Sequence, residues 1–362
     1  MKAGRKFLLA LVCLLLFSTQ ATADVHKYKR HVVIDKQGMG IEAFRLLIPD
    51  SWRFQGGVRW LTNSFQLTQT AFTVSSPDDE AAFEIFPEML FFFSADPNMN
   101  AIYAQHVMVH QPVDAATYLQ QMFIPTYRGN MPGLRIVSGQ QLPQLAQKEM
   151  ANYQYQVANN PYIAQLAAQS RFQFDAASVT IEYKRAGKLM EETLSAILSY
   201  SSTGFITNWG PVRQTSLRSV KASKAKMTPL LKVICDSFEM NPVWEYKMSQ
   251  IYYFMVQQQK KVIASIGELS RYISQTNDQI NDMLYQSYRQ SDAIYDQMSE
   301  NWSEAIRGVD SYHDPINGVN VEAPTVYESG WTDGNEYLFS TDPSFEPNRT
   351  SGPNWTRLEK RR

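Results

Sequence analysis

Two histidines four residues apart, His106 and His110, open the search for chemistry. On a strand both would project from one face, and on a helix they would stack, so either geometry offers two imidazoles to one metal. A zinc site needs a third protein ligand, and Asp114 is the obvious local one. The competing reading is two half-buried histidines on a β-rich surface. His313-Asp314 reads as part of the turn before Pro315. Asp78, Asp79 and Glu80 are three adjacent acids, without the alternating ligand spacing of a dedicated calcium loop, and they read as a solvated hairpin tip. Cys235 sits in the apolar stripe Leu231, Val233, Ile234 and Phe238, where a thiol behaves as a small buried hydrophobe.

No nucleophile elbow, phosphate-binding loop, His-Glu-x-x-His helix or glycine-rich dinucleotide turn occurs in the sequence. A non-enzymatic binding or assembly role is therefore the leading expectation, and no cofactor is expected. The alternative is an unrecognised secreted hydrolase or metal-dependent enzyme centred on His106 and His110. The C-terminal aromatics Tyr312, Tyr327, Trp331, Tyr337, Phe339, Phe345 and Trp355 fit a small hairpin docking on the long helix described below, a partner surface, or a glycan-stacking face.

The elements that would position these groups fall into segments. Lys2, Arg5 and Lys6 precede the apolar run Phe7–Phe17 and then Ala21-Thr22-Ala23, the three-part pattern of a cleaved signal peptide over residues 1–23. The run is far short of the ~20 residues a spanning helix needs, so a secreted or periplasmic protein with no transmembrane segment is expected. Three of the 34 basic residues leave with the leader, so 31 face 35 acidic ones, and nothing points to nucleic acid. Of the two cysteines only Cys235 remains, so no intrachain disulfide can form and buried apolar area must carry the fold.

Residues 24–240 alternate short strands with turn signals and two helices, an α+β pattern of antiparallel sheets with packed helices, arranged as two similar halves (24–160 and 161–240) if the meander-then-helix order is a duplication. Strands are expected at Ile41–Ile48, at Gln69–Ser75 paired with Ala81–Phe86, and at Ser178–Lys184, Leu189–Tyr200 and Gln214–Val220. Val179, Ile181 and Tyr183 share one strand face. Helices are expected after an Asp114 N-cap and from Thr228-Pro229 onward. The phrase Phe44–Trp52 (FRLLIPDSW), the Ser76-Pro77-Asp78 turn and the closing Leu230–Trp244 (LLKVICDSFEMNPVW) resemble secreted proteins of the PsbP/Mog1-like α/β group. That resemblance implies a sandwich of sheet and helices serving binding or assembly, and it carries over no site residues.

Asn241-Pro242 is an N-cap with proline at the first helical position. No proline follows until after Arg307, so residues 241–307 read as one amphipathic helix of about 66 residues, roughly 100 Å at 1.5 Å per residue. The consecutive run Tyr252, Tyr253, Phe254, Met255 and Val256 is apolar all round and reads as buried on the globular part. Beyond it Val262, Ile266, Leu269, Ile273, Ile280 and Met283 form a heptad seam that shifts register and resumes at Tyr288, Tyr295 and Trp302. The seam is expected to pair with a protein partner or a second copy; a break near Gly267 or Asn277, with an intramolecular hairpin, is the competing reading. Residues 308–362 read as a β-hairpin tail, with strands about Asp333-Gly334, that caps the helix through aromatics including Trp331. The tail motif GVDxYxDP, then Trp331 with GNEYL and the later Asp-Pro and Pro-Asn pairs, is similar to the C-terminal region of uncharacterised bacterial secreted proteins.

Overall fold

A computed structural model describes residues 25–349 and 354–360, apart from positions 63, 65, 106, 169, 259–262, 278–308 and 325. Residues 1–23, where a signal peptide is expected, lie outside the described residues. Antiparallel sheets with packed helices make this an α+β protein, as its alternating sequence pattern implies.

The larger sheet runs in the order β3 (Arg53–Trp60), β4 (Thr68–Ser75), β5 (Ala81–Ile85), β11 (Ile206–Val220), β10 (Lys188–Thr203), β9 (Arg171–Arg185) and β8 (Arg135–Gln141). The short β6 (Phe91–Ser94) also pairs with β11, and β7 (Met108–Val109), which follows the short α1 (Pro97–Tyr103), adds to β6 in parallel. A second sheet is ordered β12 (Glu239–Met240), β2 (Glu42–Pro49), β1 (Val25–Ile34), β16 (Glu336–Ser340), β15 (Ser329–Thr332) and β17 (Thr356–Arg357). A small third one joins β14 (Val319–Pro324), β13 (Val309–Asp314) and β18 (Glu359–Lys360). Strands from both halves of residues 24–240 thus share one sheet, through β5 against β11.

Period-two alternation decides what each face of the larger sheet carries. Val179, Ile181 and Tyr183 of β9 and Met190, Leu194, Ala196 and Leu198 of β10 turn to the same side and are buried. They lie beneath α2 (Ala115–Tyr118), a π-helical turn at Leu119–Phe123, and α3 (Ile124–Arg128). Asp114 caps α2, accepting from the Thr117 amide at 2.9 Å. Within this core the Glu192 carboxylate, fully buried, receives both Nε and Nη2 of Arg128 and the hydroxyl of Tyr183 at 2.8 Å. Arg128 reaches Glu84 as well. A buried charge is tolerable only when paired and hydrogen-bonded, and this clamp fixes the end of α3 to β5 and β10.

The two larger sheets meet around α6 (Lys224–Asp236), whose Leu230, Leu231, Val233 and Ile234 pack with Phe44, Leu46 and Ile48 of β2 and with Phe72, Val74, Phe83 and Ile85. Each such side chain contributes about 1.5–3 kcal/mol on burial. α6 starts at Lys224 rather than near Thr228, leaving Pro229 inside it; Lys224, Ala225, Lys226 and Met227 are good helix formers that extend the helix upstream of the proline.

Asn241 caps α7 (Pro242–Gln257), accepting from the Val243 amide at 2.9 Å. Asp35, almost fully buried, accepts from the indoles of Trp60 at 2.9 Å and Trp244 at 3.0 Å and from the amides of Gly38 and Met39. One carboxylate therefore ties the β1–β2 turn to β3 and to the first turn of α7.

The described part of the 241–307 segment is not a single rod. α7 ends at Gln257, residues 263–265 are not helical, and α8 (Ile266–Asn277) starts afresh. The reason is local: Ser265 Oγ accepts from the Glu268 amide at 3.2 Å while the Glu268 carboxylate accepts from the Ala264 amide at 2.8 Å. Ser265-x-x-Glu268 is a capping box that begins a helix. Nor is α7 buried all round: Ile251 and Met255 are, whereas Tyr252 and Val256 stay exposed.

The C-terminal hairpin forms where its Asp333-Gly334 turn places it, with Asp333 accepting from the Asn335 and Glu336 amides. It adds to the main-chain edge of β1, Val25 to Lys29 facing Ser340 to Glu336; residues 278–308 of the helix it was expected to cap lie outside the described residues. An edge strand offers a row of unpaired N–H and C=O groups, and this pairing sends Tyr337 and Phe339 into the core beside Tyr28 and Tyr312.

Candidate functional site

On the face of the larger sheet opposite the Glu192 clamp, α4 (Pro143–Asn159) lies across β9. Pro143 is its first residue, and it ends at Asn160, whose extended backbone leaves the helix. The Asn160 side chain caps the following α5 (Pro161–Ala167) and donates to Ser249 of α7 at 2.8 Å. Glu149, Asn152, Tyr153 and Gln156 fall at i, i+3, i+4 and i+7, one stripe of the helix. They line a cleft of about 210 Å³ together with Phe172 and Phe174 of β9, Ser199 of β10 and Val212 of β11.

The register of the strands builds this wall. Phe172 and Phe174 are two apart and share a face, and Ser199 stands opposite Phe174. β11 then inserts an extra residue: Ile197 pairs with Arg213 and Leu198 with Pro211, so Val212 bulges out and stays 39 % exposed. Gly210, at φ +152°, precedes the bulge; a Cβ there would sit 2.1 Å from the Met89 carbonyl, so only glycine fits.

The rings of Tyr153 and Phe172 lie 4.4 Å apart and those of Tyr153 and Phe174 6.1 Å. All three are half-buried, and burial raises the Tyr153 phenol above its ordinary pKa. Among the described residues no hydrogen bond or ion pair engages the side chains of Glu149, Asn152, Gln156 or Ser199. The cleft therefore combines an aromatic wall with unspent donors and acceptors. Glu245, in the first turn of α7 and electrostatically coupled to Glu149, has its pKa pushed up to about 7: burial raises it, Arg213 opposes, and Glu149 and Glu239 raise it further. Glu88 is also raised by burial, against the amide of Thr70 and the charge of Arg213.

The residues singled out from the sequence are elsewhere. His106 lies outside the described residues. His110 has Nδ1 at 2.7 Å from the Gln111 carbonyl oxygen and its ring beside Trp209 and Phe91. Both oxygens of Asp114 go to Thr117, which together with the neighbouring amides keeps its pKa below the usual carboxylate value. Among the described residues no group of three His, Cys, Asp or Glu side chains is placed to hold a metal. Asp78 accepts from Ser76, Asp79 faces Arg185 and Arg218, and Glu80 faces Lys188. Cys235 is half-buried against the α6 core.

Of the seam, Leu269 is buried and Ile273 partly so, packed with Leu67, Ile251, Met255, Ile263 and Tyr272 of the same chain. Ile266 begins α8. Val262, Ile280, Met283, Tyr288, Tyr295 and Trp302 lie outside the described residues. Trp331 is buried, edge-on to Phe345 at 5.3 Å with the Arg357 guanidinium over it. The cleft residues were missed by reading for reactive types. The signals present were the i, i+3, i+4, i+7 stripe of residues 149–156 and the Phe172-x-Phe174 alternation.

No family model matches the chain, and no curated protein is recognisably similar to it. Solved structures similar to parts of it include a Pseudomonas aeruginosa protein of unknown function, at 12 % identity over 59 % of this chain and 99 % of that one, with a TM-score of 0.20. Another is LpqN, involved in cell envelope biogenesis of Mycobacterium tuberculosis, at 12 % identity over 59 % and 92 %, TM-score 0.21. A third is the cyanobacterial PsbP of Synechocystis, at 8 % identity over 62 % and 99 %, TM-score 0.23.

Proposed function

We propose that the mature chain is an exported, non-enzymatic binding protein that holds a small polar ligand in the cleft between α4 and strands β9, β10 and β11. One observation carries this reading. Glu149, Asn152, Gln156 and Ser199 converge on a half-open cavity with their hydrogen-bonding capacity unspent, beside the rings of Tyr153, Phe172 and Phe174. Concave sites with an apolar wall and a few convergent polar groups are the usual form of ligand pockets. Binding rather than turnover is favoured because Ser199 has no base within hydrogen-bond reach among the described residues. Export is supported by the leader pattern of residues 1–23. Among the described residues no helix is long and apolar enough to cross a membrane.

The test is a protein-observed nuclear magnetic resonance screen of isotope-labelled mature chain against a mixed library of amines, polyols, amino acids and carboxylic acids. At least one class is expected to bind with protection of the Ser199 and Val212 backbone signals. A library in which nothing reaches those signals would refute the reading.

A further inference from the structure

We infer that the ligand of the α4 cleft is an organic cation, a small molecule that carries a protonated or quaternary ammonium group. This deepens the binding reading above and rests on it.

The aromatic wall is the first ground. Tyr153, Phe172 and Phe174 bring three half-buried rings to one side of a small cavity. An ammonium group within ~6 Å of a ring centroid is attracted by the ring quadrupole, the more so where water is partly excluded.

The second ground is charge. The one ionisable carboxylate lining the cleft is Glu149, one helical turn before Tyr153, and no basic side chain of the described residues pairs with it. Closing a neutral polyol over it would satisfy the carboxamides and strip water from an unpaired charge, which is unfavourable. An anion would meet the carboxylate directly. A cation with hydroxyl or amide arms uses every group present: the ammonium lies against the rings and Glu149, and the arms reach Asn152, Gln156 and Ser199.

The surroundings are mixed in sign. Glu245 is coupled electrostatically to Glu149 and to Glu239, and Arg213 acts on both Glu245 and Glu88. Glu239 is already engaged by Arg45 at 3.7 Å, whereas Arg213 closes no ion pair among the described residues.

The experiment titrates isotope-labelled mature chain with choline and, separately, with its neutral carbon isostere, in which a tert-butyl group replaces the trimethylammonium. Choline is expected to move the Ser199 and Val212 amide signals saturably and to bind about tenfold more tightly than the isostere. Glu149→Gln, on the surface stripe of α4, is expected to weaken choline by about tenfold while the remaining spectrum stays that of the folded protein. Equal affinity for the isostere, or undiminished choline binding by Glu149→Gln, overturns the cation assignment and leaves the cleft as a binding site. The same holds if choline is silent while polyols or acids from the screen perturb those signals. If no compound of any class reaches the cleft, both readings fall together.

Discussion

Individual carboxylates in this protein do different work because their surroundings differ. Asp314 is fully enclosed; burial would raise its pKa, but hydrogen bonds from Tyr337 at 2.6 Å and from Asn317 win and hold it below the ordinary value. Glu245 has no such donors and is pushed up to about 7, against 4.5 for a free side chain. A group that keeps its proton to higher pH when folded lets stability fall as pH rises from the unfolded value through the folded one. Glu245→Gln should therefore unfold at the same urea concentration as the parent at pH 4. It should be the more stable of the two at pH 8, by about 1–2 kcal/mol once the lost attraction of a charge for the helix N-terminus is subtracted. Parallel urea titrations at the two pH values check this, and a difference that does not grow with pH would refute the assignment.

At the scale of elements, what was legible depended on whether the signal was local. The β2 strand, the β4–β5 hairpin, the inward face Val179, Ile181 and Tyr183, the Asn241 cap and the hairpin about Asp333-Gly334 all follow from short-range patterns and stand in the structure. The continuous rod was the favoured expectation and a break near Gly267 the competing one; the interruption falls at residues 263–265, just before Gly267, so the competing reading holds there. Ser265 and Glu268 stop nothing by propensity; they start a new helix by satisfying its first amides. Folding α8 back lets Leu269 and Tyr272 meet Ile251 and Met255, so this stretch of the seam serves the protein's own core. Leu269→Ala should then destabilise the chain by about 2–5 kcal/mol in chemical unfolding, independent of protein concentration. An effect confined to concentration-dependent association would instead assign the seam to another molecule.

Across the whole molecule, long-range pairing is what the sequence did not disclose. The tail joins β1 across some three hundred residues, and strands from both halves of the α+β region share one sheet. The cleft is the product of that topology: Glu149, Phe172, Ser199 and Val212 come from a helix and three strands, and no spacing rule connects them. Ligand affinity in Val212→Trp probes the cleft directly. Val212 projects from its bulge into the cleft and is partly exposed, so an indole there fills the cavity without entering the core. Binding of the best compound from the screen is expected to be lost while unfolding stability stays within about 0.5 kcal/mol of the parent, as expected for a surface substitution. Undiminished affinity in a variant whose cleft is filled would contradict binding there.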